Sequence, residues 1–229
     1  MHSPTIGRNI ALGIIVLFVG WTAFRALGAR PPAVPSVPVP VVDAPLASAK
    51  ATETAVFAGG CFWGVQGVFE HVKGVNEALS GYSGGFVKWP SYETVSLGVT
   101  GHAESVRVTY DPSQITYGQL LMVYFSVVHD PTQLNRQGPD SGSQYRSEIF
   151  YTSEEQERIA DAYIAQLNNA HVYGRPIVTK LEKYEAFYPA ENYHQDYLKN
   201  FPNDGYIVVN DMPKIARLQR DFPALYRND

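Results

Sequence analysis

The chain of 229 residues carries one cysteine, Cys61. A single thiol cannot close an internal disulfide, and it cannot supply half of a structural zinc site. Any fold must therefore be held by the apolar fraction of the chain, 45% of its residues. The neighbours of that thiol say what kind of fold. Thr54 to Ala58 is a short apolar run that reads as a strand. Gly59 and Gly60 then allow a tight turn. Phe62 to Val72 places Val65, Val68, Phe69 and Val72 at helical spacing. Cys61 is thus expected at a strand-to-helix turn, where free N–H groups and the helix dipole favour a thiolate over a thiol.

The chain divides into three parts. Residues 1–30 contain a stretch, Ile10 to Leu27, that is apolar but for Thr22 and Arg25. It approaches the roughly 20 residues that span a bilayer and reads as a membrane anchor or signal sequence. Arg8 lies on one side of it and Arg25 and Arg30 on the other, so charge barely orients it. Residues 31–52 are dense in proline at first, an extended spacer without a core. Residues 53–229 form the folded, catalytic part. The spacer behind an apolar segment suits an exported domain, periplasmic or otherwise extracytoplasmic. A formal net charge of −4 gives no basic surface for nucleic acid.

Within the folded part, strands and helices interleave without a repeat. Val75 to Ser80 alternates loosely and ends in a glycine-rich loop. Tyr92 to Val99 reads as strand or loop. Ala103 to Tyr110 alternates well. Tyr117 to His129 is helical, and Pro131 to Ser143 is a long polar loop. Ser147 to Tyr151 is a strand, and Ser153 opens a helix that runs to about Asn168. Ile177 to Tyr184 is a strand and Glu191 to Asn200 a short helix. This order predicts an α/β (α+β) domain, a two-layer sandwich of helices on a central mixed β-sheet.

Three polar clusters accompany Cys61. Glu104, in Gly-His-Ala-Glu, begins the alternating strand; it is either a solvated strand-end carboxylate or a buried general acid. Asn135 to Ser147 is rich in hydrogen-bonding side chains. Glu191 to Tyr197 contains His194, a type of histidine more often structural than catalytic. Readings that these residues leave open are a thiol redox sensor or anchored binding module that uses Cys61 without turnover, and a cysteine hydrolase with His102 or His194 as base.

The ordered set Gly-Gly-Cys-Phe-Trp-Gly, Gly-Tyr-Ser-Gly-Gly, Gly-His-Ala-Glu, Asn-Arg-Gln-Gly, Gly-Ser-Gln-Tyr-Arg-Ser and Tyr-His-Gln resembles the A-type peptide methionine sulfoxide reductases. The likeness covers Thr54 to Tyr206. It implies that Cys61 is the nucleophile and Glu104 the acid that protonates the sulfoxide oxygen. It further implies that Tyr92 and Tyr145 hydrogen-bond that oxygen, that Asp140 shares the pocket, and that Phe62 and Trp63 wall the substrate methyl group. The implied substrates are oxidised proteins and free methionine sulfoxide, of the S epimer at sulfur. Many such relatives carry resolving cysteines near the C-terminus, and this chain has none. The expected cycle therefore uses no bound cofactor or metal, but an external thiol reductant, thioredoxin or glutathione with glutaredoxin, acting on a monomer.

Overall fold

The computed structural model describes residues 37–228, so the anchor or signal reading of residues 1–30 and the first part of the spacer lie outside the described residues. In chain order the elements are β1 (Glu53–Gly59), α1 (Phe62–Glu70), β2 (Val75–Ser83), α2 (Tyr92–Ser96), β3 (Ala103–Tyr110) and α3 (Tyr117–Val123). A hairpin of β4 (Arg136–Gln137) and β5 (Asp140–Ser141) follows, then β6 (Ser147–Tyr151), α4 (Glu154–Asn169), β7 (Lys180–Lys183), β8 (Phe187–Pro189), α5 (Tyr197–Asn200) and α6 (Met212–Asp221). The helix of α3 continues as a π turn, Tyr124–Val128, and a second π turn, Ile207–Asp211, leads into α6.

Six strands form one sheet in the order β7-β6-β1-β3-β2-β8. All neighbours are antiparallel except β6 and β7, so the sheet is mixed as expected. β1 sits inside the sheet and is apolar on both faces. One face joins the main core, where Phe57 stacks on Phe69 at 5.2 Å and on Tyr124 at 5.0 Å. The other carries a thin cluster of Val56, Ala58, Ala103 and Phe150. Continuous burial of β1 is what its unbroken apolar run demands.

Local chemistry sets the helix starts. Thr116 accepts from the Gln119 N–H while the Gln119 side chain accepts from the Thr116 N–H, a reciprocal cap on α3. Ser153 caps α4, whose first turn holds Glu154, Glu155 and Glu157, as the helix dipole favours. The segment 92–99, read as strand or loop, opens instead with the helix α2, capped by Ser91. The stretch after Ile207, in which the sequence suggests no element, forms α6.

The described part of the spacer lies on the domain. Val37 and Pro40 are buried. The Tyr163 hydroxyl donates to the Pro38 carbonyl at 2.8 Å, and Asp43 accepts from the Gly118 N–H at 2.9 Å. Among the described residues no helix is long and apolar enough to cross a membrane.

Candidate active site

β1 ends at Gly59 and the chain must turn sharply to start α1. Gly60 makes that turn at φ 93°, a left-handed conformation that glycine adopts without a Cβ clash. A Cβ there would also lie 2.6 Å from the Gln137 side chain. Gln137 is itself fixed by two bonds to the Asp130 backbone, each 3.1 Å. The β4–β5 hairpin is thereby held over the turn, and Cys61 becomes the N-cap of α1.

The next backbone N–H belongs to Phe62, one of the orphan donors at a helix start. It donates to Glu104 Oε2 at 2.9 Å. Glu104 comes from β3, directly across from Tyr82 on β2, and is 2% exposed. It is therefore the buried acid of the two readings. Burial pushes its carboxyl up to about 8, the Phe62 N–H pulls it down, and the charge of Asp140 raises it further. At neutral pH the group is mainly the neutral acid.

Aromatic rings fill the space beside the turn. Trp63 lies flat on Tyr197 with ring centroids 3.6 Å apart, and meets Tyr206 edge-on at 6.0 Å. Its indole N–H donates to His194 Nδ1 at 3.1 Å. His194 must then carry its proton on Nε2, and burial lowers its basicity, so the ring stays neutral and orients Trp63. That is the structural role expected for it, and it leaves the hydrolase reading without this base. Phe62 is buried between Tyr82 and His194.

Tyr92 starts α2, with its N–H on Glu191 Oε1 at 2.8 Å, while the other oxygen of Glu191 accepts from the Tyr82 hydroxyl at 2.9 Å. Tyr145 closes the 3-10 turn Ser143–Tyr145. The neighbouring Gln144 donates to the Ser96 carbonyl at 2.9 Å, tying this turn to the end of α2. Burial and the nearby Glu104 push both phenols up, so they remain donors throughout the physiological range. Asp140, on the hairpin, accepts from the Tyr206 hydroxyl.

The sulfur does not behave as the helix position alone suggests. Burial raises the Cys61 thiol well above its ordinary value, and negative charge on Glu104, once it ionises, and on Asp211 adds to this. The Trp63 N–H and the Lys214 ammonium pull the other way without prevailing. Desolvation outweighs the helix N-terminus here, so the resting sulfur is a thiol. Glu104, Asp140 and Cys61 all act on the Tyr92 and Tyr145 phenols, so these five residues lie near one another, at the start of the helix that carries Phe62 and Trp63.

The arrangement gathers a thiol, a largely neutral carboxylic acid and two phenols beside an indole ring. A family model described as peptide methionine sulfoxide reductase matches residues 53–225. The chain belongs to the peptide methionine sulfoxide reductase family. This reductase is 64% identical over 179 residues to the peptide methionine sulfoxide reductase MsrA 2 of Mesorhizobium japonicum, covering 78% of the chain and 92% of the relative. It is 50% identical over 188 residues to the MsrA 2 of Synechocystis, covering 81% and 88%. Among solved structures, reduced Mxr1 of Saccharomyces cerevisiae is similar with a TM-score of 0.61 at 32% identity, over 71% of this chain and 92% of that one. Methionine sulfoxide reductase A of Corynebacterium diphtheriae gives a TM-score of 0.57 at 34% identity, over 73% and 85%.

Several residues of this reductase's site escape sequence reading. Tyr206, Asp211 and Lys214 arrive from the C-terminal segment; Tyr82, Glu191 and Tyr197 lie in clusters read from the sequence but with no site role assigned, and Glu191 joins the Tyr82 hydroxyl to the Tyr92 N–H. A signal for the C-terminal residues does exist. Ile207, Asp211, Ile215 and Leu218 recur at helical spacing, and all four are buried.

Proposed function

We propose that Cys61 carries the peptide-methionine (S)-S-oxide reductase activity of this family through a one-thiol cycle. The sulfur attacks the sulfoxide sulfur while the neutral Glu104 protonates the sulfoxide oxygen, helped by the Tyr92 and Tyr145 hydroxyls. The attack forms an S–S bond that breaks as the protonated oxygen passes to the Cys61 sulfur, and the thiol proton restores Glu104: thiol plus methionine sulfoxide gives Cys61 sulfenic acid plus methionine. No outside electrons enter this half. Trp63, held by Tyr197 and His194, faces the methyl group with Phe62 behind it. Asp140, bonded by Tyr206, supports the acid side of the pocket.

The observation that carries this reading is the buried Glu104 carboxyl, which accepts from the N–H next to the only thiol and whose burial favours the neutral acid. With no second cysteine in the chain, the sulfenic acid is reduced from outside. An external thiol forms a mixed disulfide with Cys61 and releases water, and a second thiol then frees Cys61 as the thiol. Thioredoxin, or glutathione with glutaredoxin, is the reductant class. Oxidised proteins and free methionine sulfoxide are the substrates, and the enzyme works as a monomer. The test is methionine formation from the free S sulfoxide with dithiothreitol. Wild type should form it and Cys61→Ser should not; activity in Cys61→Ser overturns the assignment.

The N-terminal apolar segment supports a membrane anchor or signal sequence that carries the domain out of the cytoplasm. Protease added to intact outer-membrane-permeabilised cells should then digest the domain; protection until the inner membrane is broken would refute export.

A further inference from the structure

The C-terminal segment brings a pair of opposite charges to the start of α1. Asp211 closes the π turn before α6 and Lys214 lies in the first turn of that helix. Asp211 is 0% exposed; its Oδ1 accepts from the Lys214 ammonium at 3.0 Å, and its Oδ2 is buried without a hydrogen-bond partner. The pair presses on the helix at Gly64. A Cβ there would lie 2.0 Å from Asp211 Oδ1 and 2.8 Å from Lys214 Nζ. Gly64 is about one helical turn beyond Cys61, so thiol and ion pair share one helix end.

An ion pair is an expensive way to fill such a place. Apolar side chains of similar volume usually stabilise a fold as well or better, and an empty carboxylate oxygen adds to the penalty. The other groups that act on Cys61 cannot replace it as fixed charges. Glu104 from β3 is mainly neutral at pH 7 and opposes the thiolate, ahead of Asp211, only once it ionises above about 8; Tyr92, Tyr145, Tyr197 and Tyr206 are phenols pushed up by burial. Asp140 on the hairpin acts on Glu104 and Tyr206. Lys214 is the cation among the described groups that act on the sulfur, and Asp211 raises the thiol where Lys214 lowers it.

We propose that Asp211 and Lys214, a buried ion pair pressed against the first turn of the helix that Cys61 caps, are a positioning pair whose opposite charges act on the Cys61 sulfur in opposite senses. The inference rests on Cys61 as the reacting thiol, but not on turnover. Neither side chain exchanges a proton or bond with the substrate.

The test is the pH dependence of Cys61 alkylation by iodoacetamide in the full chain, with folding checked by circular dichroism. At a fixed pH below the thiol midpoint, Asp211→Asn should react roughly tenfold faster than wild type and Lys214→Met roughly tenfold slower. The double variant should fall between them, near wild type. Four coincident profiles, or single variants that shift the same way, would overturn the proposal. Should Asp211→Asn not fold, Lys214→Met against Lys214→Arg decides it. Slowing by Met and not by Arg supports the charge role; equal slowing by both defeats it. Alkylation that follows this order while Cys61→Ser still reduces sulfoxide would sink the proposed function and leave the pair standing.

Discussion

Glu104→Gln separates acid catalysis from shape. The glutamine oxygen can still accept the Phe62 N–H, so the turn at Cys61 is preserved, but no proton can be delivered. A positioned general acid contributes about 10²–10⁴-fold, so kcat/KM should fall by that factor, roughly 3–5 kcal/mol. The same change alters stability with a definite sign. The folded carboxyl titrates near 8 and the unfolded one near 4.5, so the folded state holds this proton more tightly. Its stabilising contribution is full below about 4.5 and is lost as pH rises through about 8. That gap corresponds to about 5 kcal/mol at most, less where water enters to solvate the carboxylate. Glutamine does not titrate and escapes the loss. Urea unfolding across pH 5 to 9 should therefore show Glu104→Gln gaining on wild type by about 2–5 kcal/mol at the alkaline end. The alkaline fall in wild-type single-turnover rate, centred near 8, should be absent from the variant. Parallel stability curves, or a rate loss below tenfold with that fall intact, would refute the reasoning.

Other substitutions probe the supports. Trp63→Phe keeps a ring on Tyr197 but leaves His194 Nδ1 without a donor. KM for the sulfoxide should rise about tenfold, equivalent to about 1.4 kcal/mol of hydrogen bonding, with kcat within threefold, as steady-state kinetics would show. Gly64→Ala drives a methyl into Asp211, an overpacking cost of about 1–3 kcal/mol. A thermal scan should show Tm lower by about 2–10 °C; an unchanged Tm would mean that the contact is not tight. Asp43→Ala removes an acceptor for the Gly118 N–H at the start of α3. About 1 kcal/mol of stability should go, with kcat/KM unchanged, and a loss of activity would show that the segment before β1 does more than pack.

Much of this was legible because local rules and tertiary packing agree. β3 matches the alternating run Ala103 to Tyr110 residue for residue, since one periodic pattern serves both sheet and core. β1 and α1 were visible because glycines mark the turn between them. Tyr92, Glu104, Asp140 and Tyr145 lie far from that turn in sequence, so their meeting with Cys61 was expected only from the family resemblance. The misses have physical causes. α2 is a five-residue helix, too short for periodicity to register, and its β-branched residues imitate a strand. The partners Tyr206, Asp211 and Lys214 reach Cys61 only through long-range packing, which spacing along the chain cannot express. The thiolate expectation failed for a related reason. The helix end is local and readable, whereas the burial and carboxylates that outweigh it are assembled from β3 and the C-terminal segment.

In the proposed cycle one oxygen atom moves from the substrate to Cys61, which then waits for an outside thiol. Reduced enzyme, freed of reductant and mixed with excess S sulfoxide, tests this in a single turnover. One methionine per chain should form, with one added oxygen on the Cys61 peptide by mass spectrometry, trapped by dimedone and erased by added thiol. Continued methionine formation without reductant, or a full equivalent with Cys61 left unoxidised, would contradict the account.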